Sequence, residues 1–185
     1  IIFRNRKFMK MKEIYTTKIS QFRIRTTQML TRLLAVTLLV VMASFANQLL
    51  AQNVSVTATA GTLGPTLYPT VKDAFDAINL GTHQGDITVG ISGNTTEALA
   101  CVINSSGAGS AAYTSVLVRP TADGVIVSGA GSGGGRGLIE LNGADNVTID
   151  GDNPNTGGIN RNLTINNTSI GTYHQVIRVA LNTTT

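Results

Sequence analysis

The sequence predicts an all-β chain wound as a parallel β-helix, a solenoid of short strands, with one α-helix at its front. Three observations predict it. Short runs rich in Val, Ile, Leu and Thr follow one another from Asp86 onward, joined alternately by very short and by long connections: Ala144-Asp145 is one, "DNPNTGGINR" the other. Many runs close in the same chemistry ("LNG", "IDG", "INN", "ALN"), and Asn and Gly tolerate the left-handed backbone that corners need. Aromatic residues make up only 5% and Trp is absent, which suits a narrow interior stacked from aliphatic layers.

The first element is a targeting segment. Nine basic residues, from Arg4 to Arg32, precede the apolar run "LLAVTLLVVMASFA", Leu33 to Ala46, which has the length of a signal-peptide core. Ser44 and Ala46 form a small-x-small cleavage pattern, and Ala51-Gln52 offers a second. A membrane-spanning anchor needs about 20 apolar residues, whereas Ser44, Asn47 and Gln48 interrupt this run. Residues 1–51 therefore read as a signal peptide with an upstream extension, leaving no transmembrane anchor after cleavage. Met9 and Met11 are candidate starts, and the final "VIRVALNTTT" reads as a strand awaiting a continuation. The expectation is the front of a longer secreted or outer-surface bacterial protein, with 52–185 as an incomplete β-helix domain.

The body opens with an alternating strand (Val54, Val56, Ala58) and a Gly/Pro turn. "TVKDAFDAINLG" follows as a helix: Thr70 is its N-cap, Asp73 supports the first turn, and Gly81 stops it. Val71, Ala74, Phe75, Ile78 and Leu80 are expected on one apolar side that covers the open front of the coil. Strands are expected at "DITVGIS", "ALACVIN", "TSVLVRP", "GVIVSG", "LIELNG", "NVTIDG", "NLTINN" and "QVIRVALN". No helical period separates them, which excludes a doubly wound α/β sheet. Corners fall at Asn142-Gly143 and Asp150-Gly151.

"IELNGADN" running into "NVTIDG" resembles the rung signature of pectate-lyase-like right-handed parallel β-helices. "LYPTVKDAFDAINLG" with "GDITVGISGNTTE" resembles the N-terminal cap and first rung of large exported bacterial members. The resemblance covers Gln52 to the end. It implies a right-handed coil plugged by the helix, in a family that includes polysaccharide lyases and hydrolases as well as cell-surface proteins without known chemistry.

Charge narrows the partners. The whole chain carries +4, but from Ala51 onward five basic residues face nine acidic ones, a balance of −4. Such a surface repels a phosphate backbone, which excludes nucleic acid. "GAGSGGGRG" matches G-x-G-x-x-G at Gly129, Gly131 and Gly134, yet a strand follows it where a dinucleotide site requires a helix, which excludes a nucleotide. Cys101 is the single cysteine, so no disulfide framework exists, and its apolar run marks it as a small buried hydrophobe.

Glu140, Asp150 and Asp152 are the acids a glycosidase would use in pairs. Alternation puts Glu140 opposite Ile139 and Leu141, hence outside, and Asp150 before Gly151 fits a turn. The pectic hydrolases that the chain resembles use clustered acids with a His, and the lyases use calcium acids with a basic residue; no such cluster is evident. "DGDNPN" offers oxygen ligands at Asp150, Asp152 and Asn155 for a weak calcium site, without the further ligands of an EF-type loop. The reading is thus a non-catalytic structural or adhesion-type module without a cofactor, in contact with polysaccharide or cell-surface glycan. The alternatives are the front of a polysaccharide lyase or glycoside hydrolase, and a calcium-dependent sugar-binding module.

Overall fold

The computed structural model describes residues 51–131, 135–171 and 174–181, with 15, 16, 18, 28, 29, 32–34 and 37. The chain divides into two compact units, 1–50 and 51–185. In the first, the described residues are helical, and Leu33 and Leu34 are exposed. Most of the expected leader core and its Ser44–Ala46 cleavage pattern lie outside the described residues. No helix among the described residues is long and apolar enough to cross a membrane.

Among the described residues, the second unit holds eleven strands and one helix. They are β1 (Val54–Gly61), β2 (Thr66–Tyr68), α1 (Val71–Asn79), β3 (His83–Ile91), β4 (Thr95–Glu97), β5 (Cys101–Asn104) and β6 (Tyr113–Pro120). Then come β7 (Val125–Gly129), β8 (Gly137–Asn142), β9 (Val147–Ile149), β10 (Leu163–Asn167) and β11 (Gln175–Ala180). They form three separate sheets, with orders β2-β1-β3-β6-β9, β10-β7-β4 and β11-β8-β5.

This corrects the expected fold class. The chain is not a single right-handed parallel β-helix but a set of separate sheets, one mixed and two parallel. β1 runs antiparallel to both β2 and β3, with Val56 opposite Thr66 on one side and Val89 on the other. "VSVTATAGTLGPTLY", expected as one short strand and a turn, is therefore a hairpin joined edge-on to β3. Alternation with period two is the same for parallel and antiparallel neighbours, so the strand pattern could not reveal the difference.

Beyond the hairpin the pairing is parallel. Val89, Val118 and Ile149 align across β3, β6 and β9, and Cys101, Ile139 and Ile177 across β5, β8 and β11. These columns feed one apolar core with Phe75, Ile78, Val89, Ile103 and Val127. Burial weakens along the second column, from Cys101 at 0% and Ile139 at 3% exposed to Ile177 at 45%.

α1 is fixed at both ends. Thr70 is the N-cap, in extended conformation, and its Oγ1 accepts from Asp73 N at 3.1 Å. The two amides before it donate to Glu97 of β4: Val71 N to Oε1 at 3.0 Å and Lys72 N to Oε2 at 3.1 Å. Ala74 N then makes the first intrahelical bond, to Thr70 O. Each amide of the first turn thus has an acceptor. Val71, Ala74, Phe75 and Ile78, spaced for one face, are fully buried. Leu80 departs from the expectation: it is the C-cap and 74% exposed. Nine residues after Val71, at about 100° per residue, it lies roughly opposite the buried stripe.

Gly81, at φ +72°, ends the helix. Thr82 N donates to Ala77 O and Gly81 N to Ile78 O, the bonds of a Schellman motif. Asn79 then ties the last turn to β5, donating Nδ2 to Val102 O and accepting from Asn104 N, both at 2.9 Å. Val102 and Asn104 lie on the edge strand of their sheet, so this side chain occupies edge groups that would otherwise face another strand.

The two expected corners differ. Asn142 ends β8 and donates Nδ2 to Oδ1 of its partner Asn104 at 3.0 Å, and Gly143 has φ +67°. Asp150 accepts from Asp152 N at 3.0 Å, as an Asp-initiated turn requires. Gly151, however, does not adopt positive φ, and a Cβ there would meet nothing within 4 Å. The left-handed residue near this corner is Asn146, at φ 55°.

Gly129 and Gly151 should consequently behave oppositely. A Cβ on Gly129 would lie 2.3 Å from the Glu97 carbonyl oxygen, so Gly129→Ala should cost about 1–3 kcal/mol by overpacking. Gly151→Ala should be neutral or stabilising by up to about 1 kcal/mol. Urea unfolding of both variants checks this. Glu97→Ala should cost about 3 kcal/mol or more, because two amides lose their acceptor. Glu97→Gln should fall between, keeping one oxygen and setting an NH2 against the other amide; a Glu97→Ala midpoint equal to wild type would refute the clamp.

Candidate functional site

The one cluster where charged side chains meet at the surface of the sheets is built on β8, among the described residues. Glu140 lies in register between Val102 of β5 and Arg178 of β11. Arg136 stands just ahead of the strand, four residues before Glu140. Its Nε donates to Glu140 Oε2 at 3.1 Å and its Nη2 to Oε1 at 2.8 Å, a two-pronged contact. Arg178 Nη1 donates to Oε2 at 3.2 Å from across the sheet. The carboxylate side chain is 3% exposed, while the Arg136 and Arg178 side chains are 43% and 37% exposed.

Glu140 therefore sits where alternation put it, away from core residues Ile139 and Leu141, but it is not exposed. Two arginines cover it. Alternation tells which face a side chain takes, and it is silent on what a neighbouring strand lays over that face. Its carboxylate is engaged by guanidinium groups, so Glu140 is not a free partner for Asp150 or Asp152.

The calcium candidates share the loop between β9 and β10 but do not converge. Asp150 Oδ1 accepts from Asp152 N, and Asp152 Oδ1 accepts from Asn160 N at 2.7 Å. Asn155 Nδ2 donates to Thr121 O at 2.9 Å. Each side chain serves the loop backbone or the adjacent turn. Among the described residues, no three His, Cys, Asp or Glu side chains gather as a metal ion would need.

What anchors this loop is Asp123, which the sequence reading passed over. Its Oδ1 accepts from Asn153 Nδ2 at 2.7 Å and from Thr156 Oγ1 at 2.6 Å. Those bonds hold its carboxyl below the usual carboxylate range, Thr156 contributing most and Asn153 next. Asn153 is buried, at 3% exposure, and its Oδ1 accepts from Asn155 N. An Asn in a Pro/Gly-rich stretch gives no signal of burial, because turn residues read as exposed.

The thiol and imidazole are also committed. Cys101 is fully buried; burial, then the neighbouring Glu97 charge, pushes its thiol pKa well up, the opposite of an activated nucleophile. His83, the first residue of β3, is buried against the hairpin. Its Nδ1 lies 2.6 Å from Thr62 O, which can only accept, and its Nε2 lies 2.8 Å from Tyr68 Oη. The rings meet edge to face at 5.9 Å and 82°. The apolar space beneath α1, lined by Val71, Phe75, Ile91 and Leu163 among others, offers no polar group to orient a ligand.

No family model, no curated protein and no solved structure matches this chain.

The Asp123 contacts predict a pH-dependent loop. A carboxyl whose folded pKa is lowered contributes stability that is fully present above its ordinary value of 3.8 and is lost as pH falls through the lower folded value. Amides of 153–160 should therefore exchange faster at that acid end, and Asp123→Asn should remove this dependence. Exchange rates there that are flat with pH, after correction for intrinsic chemistry, would refute it.

Proposed function

We propose that the chain is a non-catalytic structural, adhesion-type module of a protein exported to the cell surface, in contact with glycan. The observation that carries this reading is the engagement of its acids. Glu97 serves the helix amides, Glu140 two arginines, Asp150 a turn and Asp152 the loop backbone. A catalytic pair needs one carboxylate to take up and release a proton beside substrate; these four hold the fold instead. The basic head and apolar run support export, and the acidic, Asn- and Thr-rich body suits a hydrated surface that hydrogen-bonds to sugars.

The test is expression with the chain's own leader. The exported product should begin at Asn47 or Gln52 by N-terminal sequencing, bind cells or cell-wall glycan, and leave polysaccharide chains intact. Retention of Lys12 or Arg23 would overturn export. Polysaccharide cleavage that disappears in Glu140→Gln at an unchanged melting temperature would overturn the non-catalytic reading.

A further inference from the structure

We propose that the outer face of the five-stranded sheet is a contact surface for a second copy of this chain, paired across a two-fold axis by Arg119 and Asp86. This goes beyond the surface-module reading and does not depend on it. Val56, Val89 and Val118 point into the core, so the alternate positions of β1, β3 and β6 point away from it. Register sets those positions in rows: Ser55, Gly90 and Arg119 in the first, Thr57, Thr88 and Leu117 in the second, Asp86 and Ser115 in the third. All three strands are paired on both sides, so this face owes nothing to a sheet edge. Among the described residues no acceptor meets Arg119, whose Nε is buried without a partner. Asp150, which follows the register partner of Val118, turns its Oδ1 to Asp152 N instead. Asp86 is exposed and accepts the Ser115 hydroxyl at 2.8 Å. It lies four residues before Gly90, the register partner of Arg119. That is about 13 Å along the strands, too far for the two to meet within one copy.

A two-fold axis along the second row turns another copy face to face with the first and reverses its strands. Thr88 then faces Thr88, and Leu117 faces Leu117. The first row meets the third: Arg119 stands over Ser115 of the other copy, and Gly90 over its Asp86. That carboxylate arrives beside the guanidinium, because Gly90 and Arg119 are register partners. Gly90 has no side chain to obstruct it; a Cβ there would lie 2.9 Å from Thr121 Cγ2 and 3.1 Å from Ser55 Oγ. Symmetry forms the same pair twice, as an isologous contact requires. The face is thus complementary to itself, on a body whose balance of −4 otherwise repels its copy. Leu117 and the threonine methyls fill the space between the two ion pairs. About five strands ~4.8 Å apart, with about five residues at ~3.3 Å each, cover on the order of 400 Å² per copy. That is about half the ~800 Å² per partner of a standard interface. The pair is therefore reversible and forms where copies are crowded.

The test uses the full chain. Sedimentation equilibrium should show a reversible dimer at about 0.1 mM protein, as the small area implies, and added salt should weaken it. Arg119→Glu and Asp86→Arg should each weaken self-association at least about tenfold, since each puts like charges opposite one another. Mixed together, the two variants should pair with each other as tightly as the wild type pairs with itself, because each then meets the opposite charge twice. Concentration-dependent chemical shifts in the wild type should centre on 86–90 and 115–119. That measurement needs no variant, so a substitution that misfolds leaves the proposal falsifiable. A chain that stays monomeric at millimolar concentration overturns the proposal and leaves export and the non-catalytic reading standing. Association that is insensitive to salt, or shifts centred on 1–50 or on the β11 edge, overturns this face as the contact. Variants that keep the wild-type melting temperature and fail to pair in the mixture overturn the Arg119–Asp86 pairing.

Discussion

The carboxylate of Glu97 against the first two amides of α1 is the interaction on which the rest of the second unit depends. A helix start buried against strands leaves amide donors that water cannot reach, and a buried acid is costly without donors. Each removes the other's cost, and the negative charge also meets the positive end of the helix dipole. The consequences spread from there. With β4 drawn close, Gly129 has no room for a side chain beside the Glu97 carbonyl. Cys101 lies against the same carboxylate and is kept a neutral thiol. At its other end the helix is tied by Asn79 to β5, so Phe75 and Ile78 are held over the core.

The parts of this fold legible in the sequence are those set by local chemistry. Thr70 and Gly81 mark the helix ends because capping and left-handed termination need those residue types. Most strands are legible because Val, Ile and Thr alternate between turn residues. The sheet arrangement was not legible. Pairing direction is a relation between segments distant in sequence, and nothing in "VSVTATAG" states that it lies antiparallel to "HQGDITVGI". β4 was missed for a related reason: "TTE" is short and ends in an acid, so composition marks it as loop. Its acid is buried only because a helix twenty-six residues earlier points two amides at it.

The site residues show the same division. Asp150 as a turn former was legible, since an Asp before Gly caps its own backbone. The association of Arg136, Glu140 and Arg178 was only half legible. The spacing of four between Arg136 and Glu140 is visible, but outside a helix that spacing carries no rule. Arg178 arrives through register across a parallel pair of strands, thirty-eight residues away. Asp123 reaches Thr156 and Asn153 in the same long-range way.

Glu97 and Glu140 are two solutions to one problem, a carboxylate in a place that excludes water. Glu97 is met by backbone amides, which carry no net charge and lie inside; the result is closed and gives the surface nothing. Glu140 is met by guanidinium groups on flexible stems, each with more donors than one carboxylate uses. Neutralising it from the solvent side leaves positive charge outward, on a body that is otherwise acidic. The first arrangement can only hold the fold together. The second leaves two guanidinium groups facing solvent, so the carboxylate is closed off while its partners stay at the surface.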